Sequence, residues 1–93
     1  MPNINAQYII QPAYKIQKIS ETDKSNLLEQ TYSVMTGIKI FKGDEMVYKQ
    51  GLQQEVTVTT PKEYEKQVVD FELSRKVYNL LGELSKNIQL SNN

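Results

Sequence analysis

The sequence predicts an α+β fold: a small antiparallel sheet of three to four strands, one short helix and one long C-terminal helix. Three observations predict it. Apolar residues recur at helical spacing from Leu27 to Met35, the period drops to two between Ile38 and Thr60, and helical spacing returns from Tyr64 to Ile88. With 93 residues the chain has room for one domain. We place that domain at 20–90, after an extended N-terminal arm or edge strand at 1–19 and before a disordered tail at 91–93.

Residues 1–19 hold Tyr8-Ile9-Ile10 and Tyr14-Lys15-Ile16 on either side of Gln11-Pro12. Pro12 opposes a helix and holds Gln11 extended, so this stretch reads as an edge strand or an arm lying across something. Ser20, with Glu21 and Asp23 behind it, has the form of a helix start. Leu27, Leu28, Thr31, Val34 and Met35 then make one apolar face, and Gly37 supplies a stop, giving a first helix at about 21–36.

Ile38–Phe41 and Met46–Lys49 flank Lys42-Gly43-Asp44-Glu45, a hairpin signal. Gln50-Gly51 marks a further turn, and Leu52–Thr60 alternates as a half-buried strand, which completes a three-stranded meander. Thr60-Pro61-Lys62-Glu63 has the spacing of a capping box with proline at the first helical position. The second helix therefore runs from Pro61 to about Ile88, roughly 40 Å at 1.5 Å per residue. A compact globule of this length is only about 32 Å across, so the helix either kinks at Gly82 or overhangs.

That helix has two apolar sides. Tyr64, Val68, Phe71 and Tyr78 form one; Val69, Leu73, Val77, Leu80, Leu84 and Ile88 form a longer one, with Leu81 beside it. A surface helix needs a single apolar stripe. The longer stripe, with its 4-3-4 spacing, is assigned to a protein interface, most simply with a second copy about a two-fold axis.

Composition narrows the chemistry. The chain has no Cys and no His, which removes disulfides, thiolate and imidazole metal ligands and the usual near-neutral general base. Lys plus Arg equals Asp plus Glu at 11 each, and Arg75 is the one arginine. Phosphate-driven binding calls for a basic excess, so nucleic acid is disfavoured as a partner. No apolar run reaches membrane-spanning length, and the start lacks the regions of a signal peptide, so a cytoplasmic protein is expected. Gly43-Asp44-Glu45 lacks the ligand spacing of a calcium loop, and the four glycines form no phosphate loop.

Neither a catalytic nor a cofactor nor a metal site is expected, and the chain reads as a non-enzymatic protein–protein module. That covers an assembly subunit, or a small inhibitor or adaptor of the kind found in phages and mobile elements, with itself or a larger protein as partner. The rival reading is a ligand- or nucleic-acid-binding protein with its site where protomers meet. It would place an anion near Thr60 and Lys62 at the helix start, or use Tyr14 with Lys15, Lys18 and Lys24 as a basic-aromatic cluster.

Overall fold

The computed structural model describes residues 7–88; the expectation of a disordered tail at 91–93 lies outside them. Three long strands run in a simple antiparallel meander: β1 (Tyr8–Lys24), β2 (Leu27–Lys42) and β3 (Glu45–Pro61), in the spatial order β1-β2-β3. A 3₁₀ turn, Lys62–Tyr64, leads into helix α1 (Glu65–Lys86), which runs back along one face of the sheet. The result is an elongated body with extents of 66 × 20 × 18 Å and a Cα radius of gyration of 18.2 Å. That is well beyond the ~12 Å of a compact chain this long.

This shape corrects the overhang argument. The sheet is longer than the helix, so α1 stays over it and runs unbroken through Gly82. A Cβ at Gly82 would meet nothing within 4 Å.

The first helix expected at 21–36 does not form. Its residues make the end of β1, a tight turn at Ser25-Asn26 with Ser25 at φ 63°, and most of β2. The signal was ambiguous because Leu28, Val34, Ile38 and Ile40 alternate along one face of β2, but Gln30 and Thr36 occupy two of the buried slots between them. Two buried polar residues broke the period of two, and the leftover apolar residues mimicked a helix. Residues 8–24 form an edge strand that continues across the expected boundary at 19/20.

The turn expected at Gln50-Gly51 is also absent, so two expected strands are one. Gly51 pairs with Gly37, and a Cβ there would sit 3.1 Å from the Thr36 carbonyl oxygen. Close backbone approach, not reversal, explains this glycine. Gly43, at φ 62°, does turn the β2–β3 hairpin.

The capping box fails too. Thr60 is buried and pairs with Leu28 in the ladder, its hydroxyl bonds the Pro61 carbonyl, and neither helical start has a side-chain cap.

The core lies between α1 and the sheet. Val69, Leu73, Val77 and Leu80 pack on Tyr32, Val34 and Val58, and Leu84 packs on Ile38 and Ile40 at the hairpin end. Val34 and Ile40 are fully buried. Ile40→Ala should lower unfolding stability by about 2–5 kcal/mol in urea titrations, whereas Phe71→Ala, at an exposed site, should change it by under about 1 kcal/mol. Gly82→Ala should raise it by about 0.5–1 kcal/mol, since the methyl group enters open space in a helix interior.

Candidate functional site: an open cleft and two bare edges

The structure reverses the roles of the two helix stripes. Val69, Leu73, Val77, Leu80 and Leu84, together with half-buried Ile88, face the sheet of their own chain and are spent on the core. The stripe given to a partner is therefore the one the monomer already covers, because a 16-residue β2 presents a longer apolar face than the sequence period suggested. Of the second set, Val68 is half-buried against the core, while Tyr64, Phe71 and Tyr78 stay in water at 53%, 65% and 80% exposed.

Helix α1 packs on β2 and β3. Beside it, the helix-side face of β1 is left largely open. Tyr14, Ile16, Val77, Tyr78 and Leu81, with Ser74, line a cleft of about 210 Å³ between β1 and α1. Tyr14 and Ile10, on the same side of β1, are 63% and 57% exposed. A larger trough of about 510 Å³ crosses the sheet near Ala13, Gly37, Lys39 and Lys49. Two small residues that line it, Ala13 and Gly37, stand opposite each other across β1 and β2. We regard the smaller cleft as the better candidate, since a helix wall and aromatic side chains flank it and its lining is mainly apolar.

At the other end of α1 the polar groups are engaged internally. The buried Gln30 amide donates from Nε2 to Glu21 Oε1 and Glu65 Oε2, each at 2.8 Å, and the Tyr32 hydroxyl donates to Gln30 Oε1 at 2.8 Å. Lys18 Nζ completes the set, 2.6 Å from Glu21 Oε1. The hydrogen bond from Lys18, then that from Gln30, holds the Glu21 carboxyl below its usual range, and the bond to Glu21 raises Lys18. Burial raises the Tyr32 phenol.

These contacts dispose of the smaller candidates. Lys62 Nζ lies 2.8 Å from Asp23, and Glu63 and Glu65 occupy the entry to α1, so Thr60 and Lys62 do not offer an anion site. Lys18 and Lys24 pair with Glu21 and Glu29, and Lys15 lies on the face of β1 opposite Tyr14, so the basic-aromatic cluster does not assemble. Asp70 pairs with Lys66 and Arg75 with Glu72. Asp44 and Glu45 sit at the hairpin tip, and no group of three or more metal-ligating side chains occurs among the described residues. No described helix is long and apolar enough to cross a membrane.

No family model, curated protein or solved structure matches the chain.

Sequence reasoning missed the cleft because it arises from Tyr14 and Tyr78, distant in sequence and joined only by the strand order. An edge strand or arm was expected at 1–19, but not the length of the two edges: β1 and β3 each present 17 residues along an open side of the sheet.

Two measurements check the polar end. Gln30→Ala should cost about 1–3 kcal/mol of unfolding stability, because Tyr32 loses its buried acceptor and two carboxylates lose a donor. The lowered Glu21 group contributes stability that is present above its unfolded pKa, near 4.5, and is lost as pH falls through the folded value. Glu21→Gln should accordingly flatten the acid limb of a urea-midpoint profile recorded below about pH 5.

Proposed function

We propose that the chain is a non-enzymatic protein–protein docking module whose partner contributes an extended segment with alternating apolar side chains. The carrying observation is the cleft of Tyr14, Ile16, Val77, Tyr78 and Leu81 directly beside the open edge of β1. An added strand takes its main-chain hydrogen bonds from the edge and places alternate side chains in the adjacent pocket. Tyr14 and Tyr78 supply large contact area with polar tips, the residue type that anchors such contacts.

The edge is suited to this use rather than to ladder growth. Pro12 provides no N–H, and a bulge at Ile19 breaks the register between Lys18 and Ser20. Both features limit indiscriminate pairing while leaving Ala13 to Lys18 straight.

A fluorescein-labelled decapeptide alternating leucine or valine with threonine or lysine is a direct probe. Fluorescence anisotropy should show saturable binding that Tyr14→Ala or Tyr78→Ala weakens by about tenfold. The same peptide with serine for its apolar residues should not bind. Equal affinity for both peptides, or binding untouched by both substitutions, would remove the proposal.

A further inference from the structure

We infer that β3 is a self-complementary edge, through which two copies of the chain join into a continuous six-stranded antiparallel sheet with their helices side by side. The occupant of the edge is a second copy because the charge pattern of β3 complements itself when the strand is reversed. About a two-fold axis at Leu52, Lys49 of each copy falls opposite Glu55 of the other, Tyr48 opposite Val56, and Gln50 opposite Gln54. The side-chain faces agree. Tyr48, Leu52 and Val56 all pack toward α1, so Lys49 and Glu55 share the opposite face. Tyr48 to Val56 is uninterrupted pairing on the β2 side, with the bulge at Val47 lying just beyond it.

The isolated chain leaves these charges unanswered. Lys49 stands directly opposite Lys39 in the β2–β3 ladder, a like-charge pair. Among the described residues, none of Lys49, Glu55, Lys76 and Glu83 has an ion-pair partner. A second copy brings Glu55 to Lys49 twice.

Helix geometry gives a second, independent match. Lys76 Nζ bonds Gln54 Oε1 at 2.9 Å and the Tyr48 hydroxyl reaches the Asn87 carbonyl, so Leu52 lies level with Asn79 and Leu80, which line the same hollow. An axis at that level sets Lys76 beside Glu83 of the other copy and Glu72 near its Lys86. Strands are spaced about 4.8 Å apart, so helices seated over β2 and β3 of each copy come to lie roughly 10 Å apart, a normal distance for packed helices.

The other edge lacks this symmetry. In β1 the bulge at Ile19 inverts the alternation, since Ile16 pairs with Val34 and Glu21 with Gln30 on one face. Lys15 and Asp23, the pair that an axis at Ile19 would match, therefore lie on opposite faces.

Sedimentation equilibrium of the full chain, with circular dichroism to verify folding, tests the inference by charge exchange. Wild type should sediment as a dimer at tens of micromolar. Lys49→Glu and Glu55→Lys should each weaken association by about tenfold, because two attractive contacts per dimer become repulsive, and the double variant should recover it. The chain has no native cysteine, so Leu52→Cys should cross-link to its own copy under mild oxidation while Gln17→Cys on β1 should not. A wild-type monomer overturns the inference. So does a dimer indifferent to both single charge reversals, or one that cross-links through Gln17→Cys and not Leu52→Cys.

Discussion

A single α-helix is about 10 Å across with its side chains, and three strands laid side by side span roughly 14 Å. Helix α1 therefore cannot roof the whole sheet. It settles on β2 and β3, where Leu73, Val77 and Leu80 meet Tyr32, Val34 and Val58, and leaves much of the same face of β1 open, with Tyr8 and Ile16 only partly buried. That mismatch in width shapes the molecule. It concentrates burial on β2, opens the cleft at Tyr14 and Tyr78, and leaves β1 an edge with exposed apolar side chains.

The opposite face of the sheet follows a different logic. Beside Met35 and Phe41 it carries Glu29, Thr31, Ser33 and Lys39 on β2 and Lys49, Gln53, Glu55 and Thr57 on β3, a mainly polar face. Polar ties run across it: Gln53 donates to the Ser33 hydroxyl at 2.8 Å, and the hydroxyls of Thr31 and Thr57 lie 3.0 Å apart. Such cross-strand pairs fix register with little burial. The buried Gln30 amide does related work at the far end, where its hydrogen bonds tie β1, β2 and the start of α1 into one unit.

How much of this was legible in the residues differs from element to element. The α+β class, the hairpin at Gly43 and the long C-terminal helix follow from periodicity and turn chemistry, and the structure has all three. The strand from Leu27 to Lys42 was hidden because Gln30 and Thr36 are buried by hydrogen bonding, which no hydrophobic period registers. Gly51 misled because glycine signals close approach as readily as a turn. The helix showed two apolar sides correctly, but the choice of which one meets the sheet depends on the strand lengths. Once β2 is seen as one long strand, the stripe from Val69 to Leu84 belongs to the core and Tyr78 to the surface.

The two edges of the meander thus carry distinct proposals: that β1 receives an extended segment and that β3 meets its own copy. Backbone hydrogen exchange read residue by residue tests this division most directly. If the account is right, outward-pointing amides of β3 between Tyr48 and Val56 exchange slowly at tens of micromolar and faster on dilution, while those of β1 between Ala13 and Lys18 exchange fast until an apolar peptide is added. Rapid exchange along both edges at every concentration, or protection confined to β1 without peptide, would contradict it.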